Sequence, residues 1–252
     1  MSKISSALNK ITDLTSGIYR KFNSAIIVAA GSGTRAADSS GTTKQMVSLM
    51  GIPVIVRTVS EFEKCKFINE IIIVAKEDEV RRYEAFRAKY GWKKVTSIVK
   101  GGSSRSESVL EGFKKISDKS DFVYIHDGAR CLVTPGMIEN VARETIRYHA
   151  ACAAEKACST VKREDGKGMI AETIDRDFVW LAQTPQGFQT NLYRAAVYTA
   201  PQGFAATDDC MFAEQANFPV RLVDCGPENR KITLPVDLLI AEAILKAREA
   251  GV

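Results

Sequence analysis

The chain of 252 residues is 45% apolar and carries a formal net charge of +5. That length suits one large α/β domain or two small ones. A modest charge, with no run of five like residues, argues against a nucleic-acid partner, and no apolar run approaches the ~18 residues of a membrane span.

Six cysteines, Cys65, Cys131, Cys152, Cys158, Cys210 and Cys225, form no CxxC pair and no usual zinc spacing. They are expected as small core residues in a reducing compartment, which points to the cytoplasm. The amino terminus lacks the apolar region of a signal peptide. Instead Ile4, Leu8, Ile11, Leu14, Ile18 and Phe22 recur at helical spacing. This predicts an amphipathic helical extension over 1–22, packed against the core from outside. Residues 23–252 read as one domain, since no repeat and no low-complexity linker interrupts them.

The apolar run 25–30 predicts a buried strand that stops at Gly31-Ser32-Gly33-Thr34-Arg35. A strand ending in glycines exposes backbone N–H groups with no side chain in the way of an anion. Arg35 and, beyond a polar stretch, Lys44 can neutralise a triphosphate there. Two familiar glycine loops do not fit. The GxGxxA match at 31–36 should open directly into a helix, with an acidic residue about 20 positions on. The chain instead stays polar through Thr43, and the next strand begins near Ile71. No GxxxxGK[ST] loop occurs. A nicotinamide-dependent oxidoreductase is therefore disfavoured.

A helix is expected over 53–64, a buried strand over 71–75, a helix over 77–89 and a strand over 95–99. The loop 101–108 (GGSSRSES) follows. Its two glycines allow close approach of a flat base, whose edge backbone groups and a serine hydroxyl can read. The plainer reading is a helix start over 105–116, with Ser104 capping and Glu107 completing a capping box; both can hold at once. A strand over 122–127 leads into His126-Asp127-Gly128-Ala129-Arg130. Asp127 can hold Mg²⁺, which takes one or two carboxylates plus phosphate oxygens, and Arg130 can clamp a second phosphate. The alternative for Asp127 is a turn or capping residue. His126 is given no catalytic role.

Further helices are expected over 135–149, 191–199, 209–216 and 235–249, with a strand over 220–224. Pro53, Pro135 and Pro235 sit where a first helical turn tolerates a missing N–H. The alternation implies a mostly parallel sheet with helices on both faces and ligands at the carboxyl ends of its strands. The stretch 150–183 breaks the pattern. Its Asp165-Gly166 turn lies between two β-type runs and predicts a long hairpin outside the parallel core. Its open edges are expected to pair two copies of the chain, a plain surface hairpin being the alternative. Weaker clues stand at 183–186, 207–209 and 229–233. Thr207 or Asp208 can simply cap the next helix, and Lys231 can be a solvated charge.

Together AAGSGTR (29–35), TKQ (43–45), GGSSRSESV (101–109), HDGAR (126–130), TIDR (173–176), QTPQGF (183–188), TDD (207–209) and RKITLPVDL (230–238) stand in one order. In that order they resemble the 2-C-methyl-D-erythritol 4-phosphate cytidylyltransferases of the non-mevalonate isoprenoid pathway. The resemblance runs from about Ser24 to Ala250. It implies a Rossmann-like α/β fold, a protruding β-hairpin dimerisation arm over about 156–178 and a homodimer. It also implies transfer of CMP from CTP to a polyol phosphate. The phosphate loop falls on Ala29, Ala30, Gly31 and Gly33, and the catalytic cations on Arg35, Lys44 and Lys231. Magnesium falls on Asp127. Cytosine contacts fall near Gly102, Ser103 and Ser108. Contacts to the acceptor phosphate fall on Arg130, Thr160, Arg176, Thr184 and Thr207, with Lys231 beside them and Arg176 arriving from the partner's arm. Thr43 replaces the usual proline, which is expected to loosen the loop delivering Lys44. Ala36-Ala37 replaces Met-Gly, and Lys156-Ala157-Cys158-Ser159 replaces Pro-Val-Lys-Asp. Ribitol 5-phosphate cytidylyltransferases share the nucleotide motifs and give an alternative acceptor. A non-catalytic nucleotide-binding module on the same fold is the alternative of another class.

Overall fold

In the computed structural model, which describes residues 17, 20–31 and 43–251, strand β1 (Asn23–Val28) is buried on both faces. Such a strand belongs inside a sheet covered on each side. The described elements follow as β2 (Ser48–Leu49), β3 (Ile52–Pro53), α1 (Val54–Lys64), β4 (Glu70–Ala75), α2 (Val80–Tyr90), β5 (Val95–Lys100), α3 (Arg105–Phe113), β6 (Phe122–Asp127) and α4 (Pro135–Tyr148). Then come β7 (Ala150–Lys156), β8 (Val161–Glu164), β9 (Ile170–Ile174), β10 (Trp180–Gln189), α5 (Thr190–Thr199), α6 (Cys210–Gln215), β11 (Arg221–Asp224) and α7 (Pro235–Glu249).

Seven strands form one sheet in the order β11-β7-β10-β6-β1-β4-β5. Only β10 runs against its neighbours. This is the mostly parallel, Rossmann-like α/β sheet expected from the alternation. Side-chain period two sorts the core. Ala25, Ile27, Ile71, Ile73 and Tyr124 pack with Val59 and Phe62 of α1, Tyr83 of α2 and Ile138 of α4. Ile26, Val74, Val123 and Ile125 pack with Val109 of α3, Tyr193 of α5 and Phe212 of α6. Helix α7 closes a third cluster through Ala241, with Leu132 and Ile232.

Pro135 and Pro235 do occupy first helical turns. Pro53 does not: it stands just before α1 and pairs with Ser48 in a two-stranded hairpin. Residues 77–79 form a 3₁₀ turn ahead of α2.

The largest correction concerns 150–183. Both flanks, expected outside the core, lie within it. β7 pairs with β10 and β11, and β10 pairs with β6 and β7. Only β8 and β9 stand apart as a two-stranded hairpin. The alanines of β7 are small enough for α4 to lie close above them, where Val141 joins Ala151 and Ala153 in a common cluster.

The helix expected over 1–22 falls mostly on residues outside those described. Phe22, the member of its apolar stripe that lies among the described residues, is tied to Asp121. Its N–H donates to Asp121 Oδ2 at 2.9 Å, and its carbonyl accepts from the Asp121 N–H at 2.8 Å. Among the described residues no helix is long and apolar enough to cross a membrane.

Candidate functional site

The carboxyl ends of β1, β5 and β6 surround a cavity of about 400 Å³. Ala30, Gly31, Lys44, Gly102, Ser103, Ser108, Asp127 and Lys231 all line it. Gly33 and Arg35 lie outside the described residues, and Ala29 is fully buried just behind. A larger hollow of about 500 Å³ between α1 and α7 contains none of the expected site residues.

Glycine shapes this cavity differently from the expectation. A Cβ on Gly101 would overlap the side chains of Ala30 and Ser108, and one on Gly102 would overlap Glu107. The space is filled by protein neighbours, so the two glycines let the loop after β5 close onto the loop after β1. Ser104 caps α3, its Oγ accepting from the Glu107 N–H at 3.1 Å. Glu107 answers one residue early. Its Oε2 accepts from the Ser103 N–H at 2.7 Å and from the Ser103 hydroxyl at 2.6 Å. Those bonds draw the Glu107 carboxyl below its ordinary range.

Thr43 was expected to loosen the approach to Lys44. Its side chain is instead buried and donates to Glu79 Oε1 at 2.6 Å. On the other side of Lys44, the Gln45 carbonyl accepts from the Ile55 N–H at 2.9 Å. Lys44 is thus flanked by a side-chain tie at Thr43 and a backbone tie at Gln45.

Asp127 ends β6 and is the only acidic side chain lining the cavity among the described residues. Its Oδ2 lies 2.8 Å from Lys231 Nζ and 3.5 Å from Arg130 Nε, and its Oδ1 accepts from Arg105 Nε at 3.3 Å. Burial alone would raise this carboxyl, but Lys231, Arg105 and Arg130 outweigh it and hold it well below the carboxylate range. Lys231 reaches the site because its neighbours are fixed. The Ile232 N–H donates to the Ala129 carbonyl at 2.8 Å, and the buried Asn229 donates to Gln183 Oε1 and the Thr184 carbonyl. Arg130 Nη1 in turn donates to the Asn229 carbonyl at 2.8 Å.

Thr184 lies behind Asp127. Its Oγ1 accepts from the Asp127 N–H at 3.0 Å and sits 3.0 Å from His126 Nδ1. His126 Nε2 faces the Arg130 carbonyl at 3.2 Å, so that nitrogen carries the proton and Nδ1 accepts from Thr184. Burial pushes the His126 imidazole down to about 3, which keeps it neutral and structural. Thr207, Thr160 and Arg176 do not line the cavity. The Thr207 hydroxyl contacts Met211 Sδ, and Arg176, in the 3₁₀ turn (Arg176–Phe178) that follows β9, donates to the Cys158 carbonyl at 2.7 Å.

Sequence reasoning missed Arg105 and Asp209 as partners. Arg105 read as the first residue of a helix and Asp209 as part of its own helix start. The available signal was an arginine placed directly after a capped glycine loop, where its side chain must face the strand ends.

The donor set can be tested against magnesium. No group of three or more metal-binding side chains assembles among the described residues. A single carboxylate facing an open cavity still suits Mg²⁺, which dehydrates reluctantly and takes phosphate oxygens as its other ligands. The fit is to an ion that arrives with a nucleotide.

A family model described as IspD: 2-C-methyl-D-erythritol 4-phosphate cytidylyltransferase matches residues 24–247. The chain is 37% identical over 227 residues to the 2-C-methyl-D-erythritol 4-phosphate cytidylyltransferase of Geobacillus kaustophilus, covering 90% of this chain and 98% of the relative. It is 40% identical over 226 residues to that of Shouchella clausii, covering 89% and 97%. The crystal structure of 4-diphosphocytidyl-2C-methyl-D-erythritol synthase from Anaerococcus prevotii superposes with a TM-score of 0.78 at 31% identity, covering 90% of this chain and 99% of that one.

Proposed function

We infer the reaction from one premise, that this chain belongs to the 2-C-methyl-D-erythritol 4-phosphate cytidylyltransferase family. It is a nucleotidyltransferase that moves CMP from CTP to 2-C-methyl-D-erythritol 4-phosphate and releases pyrophosphate. The product, 4-diphosphocytidyl-2-C-methyl-D-erythritol, feeds the non-mevalonate route to isoprenoids. The observation that carries the reading is Lys44, Asp127 and Lys231 lining one cavity at the strand ends.

An oxygen of the acceptor phosphate attacks the α-phosphorus of CTP in line. A new P–O bond forms as the α–β bridging bond breaks, and the electron pair leaves with pyrophosphate. The attacking phosphate is already an anion near neutral pH, so no general base is needed. The chain's task is to bring two polyanions together and stabilise added charge on the α-phosphate. We assign that to Arg35, Lys44 and Lys231, with backbone N–H groups of 30–33 around the triphosphate, the Ala29 N–H being committed to the Val74 carbonyl at 2.7 Å. Arg130 and Thr207 are assigned to the acceptor side; Thr184, expected there too, has its hydroxyl spent on His126 and the Asp127 N–H and supports the site from behind. Mg²⁺ held by Asp127 and the nucleotide phosphates would supply charge neutralisation. Ser103 supports a cytosine reading. Its hydroxyl proton is committed to Glu107, so it offers an incoming base only lone pairs, matching the 4-amino group of cytosine and not the carbonyl of uracil.

The test is pyrophosphate release with each nucleotide and acceptor in turn. CTP with methylerythritol phosphate is expected to turn over, and UTP or ribitol 5-phosphate to do so weakly. Equal or faster turnover of ribitol phosphate would reassign the acceptor.

The proposed assembly is a homodimer through the β8–β9 hairpin. Met169 and Ile170 are exposed there, and Phe178 in the turn just after it, an apolar surface that calls for a partner. Thr160 and Arg176, flanking the hairpin in sequence, would then serve the acceptor phosphate in the other copy. Phe178→Glu is expected to halve the mass seen in sedimentation velocity; an unchanged mass removes this interface. The proposed compartment is the cytoplasm, which suits six cysteines that are all unpaired.

A further inference from the structure

Beside Asp127 a chain of polar groups runs from the cavity-lining Arg105 into the core, and the reaction as described does not use it. Arg105, the first residue of α3, is engaged at two points. Its Nε donates to Asp127 Oδ1 at 3.3 Å, and its Nη1 donates to Asp209 Oδ2 at 2.7 Å. Asp209 is fully buried. Its Oδ1 accepts from the Tyr193 hydroxyl at 2.7 Å, and its N–H donates to Gln186 Oε1 at 2.9 Å. Tyr193 is itself wedged among Phe113, Phe188 and Phe212.

We propose that Arg105, anchored by Asp209 and Tyr193, is the positioning residue that fixes the plane of the Asp127 carboxylate for the metal–nucleotide complex. The inference rests on the cytidylyltransferase reading. Three cations surround Asp127, and they are not equivalent. Lys231, on a flexible stem with its side chain 36% exposed, is free to turn toward an incoming phosphate. Arg105 is not, because its far end is held by a buried carboxylate that has no other cation within reach. A carboxylate bonded at Oδ2 alone can swivel. Arg105, which itself lines the cavity with its side chain a quarter exposed, occupies Oδ1, so the carboxylate keeps its direction when Lys231 is drawn off. Partners of this kind orient a metal ligand without touching the metal. Lysine at 105 cannot do the same, since it lacks the planar fork that reaches two carboxylates.

The test uses the full chain with Arg105→Lys and, in case that variant folds poorly, Tyr193→Phe, which removes one hydroxyl from the anchor. Mn²⁺ in place of Mg²⁺ is titrated by electron paramagnetic resonance in the presence of a non-hydrolysable CTP analogue, and melting temperature and steady-state kinetics are taken alongside. Arg105→Lys is expected to weaken Mn²⁺ binding about tenfold or more and to raise the half-saturating Mg²⁺ in turnover by a similar factor. The KM for the acceptor should stay near that of the wild type. Tyr193→Phe should move the same quantities in the same direction by less. A lower melting temperature with unchanged Mn²⁺ binding in both variants makes the network structural only and overturns the proposal. Failure of the underlying reading is a separate outcome, since the wild-type chain would then release no pyrophosphate from CTP.

Discussion

Lys44→Ala is expected to lower kcat with CTP and methylerythritol phosphate by about 10²-fold or more, by analogy with loss of one preorganised donor to a transition-state charge. Lys44 lines the cavity, and its neighbours are held, Thr43 by its hydroxyl on Glu79 and Gln45 by its carbonyl on the Ile55 N–H. An ammonium group delivered by such a segment loses little entropy when the α-phosphate takes on charge, which is the condition under which one cation matters most. Any change in fold stability is a separate effect, since the half-buried Lys44 has interactions of its own. Single-turnover pyrophosphate release beside a thermal melt separates the two effects. Near-normal turnover would take Lys44 out of the transition state.

Asp127→Asn is expected to act on both activity and folding. Removing the carboxylate charge leaves Arg105, Arg130 and Lys231 facing one another with Asp209 as their remaining buried counter-charge. Breaking a buried pair in this way costs about 3 kcal/mol or more. Turnover should fall by about 10²-fold or more with loss of the metal-holding group. Affinity for metal-free CTP should move the other way and rise, because the cavity becomes more positive. That opposite sign distinguishes a metal-ligand role from general damage, and equilibrium titration of CTP with and without Mg²⁺ reads it out. The pH dependence follows the same charge. The folded-state carboxyl lies below its ordinary 3.8, so its stabilisation is complete above that pH and disappears as pH falls beneath it. The variant should lack this acid limb in urea titrations between about pH 4 and pH 2.

Much of the nucleotide side was legible because its elements announce themselves locally. β1 is a continuous apolar run ending in glycine, and β6 ends in Asp127 at the edge where α/β sheets bind ligands. Helices α4 and α7 carry proline at their starts. What escaped notice was set by tertiary contact. β7 is mostly alanine, which favours helices over strands, and becomes a strand only because neighbours cover both its faces. β10 contains Pro185 and Gly187, residues that argue against a central strand. The sheet accommodates them through a shift in register between Ala182 and Gln186, and Gly187 is required because any side chain there would overlap Thr145 and Tyr124. Arg105 and Asp209 lie 104 positions apart, and nothing local in either segment signals the other.

That antiparallel strand has a structural consequence. β10 leaves the β8–β9 hairpin at Trp180 and, within the next six residues, supplies Gln183 to Asn229, Thr184 to Asp127 and Gln186 to Asp209. One continuous strand therefore connects the projecting hairpin to the groups that surround Asp127. The same strand thus serves both ends, one facing outward with the hairpin and one beneath the carboxylate.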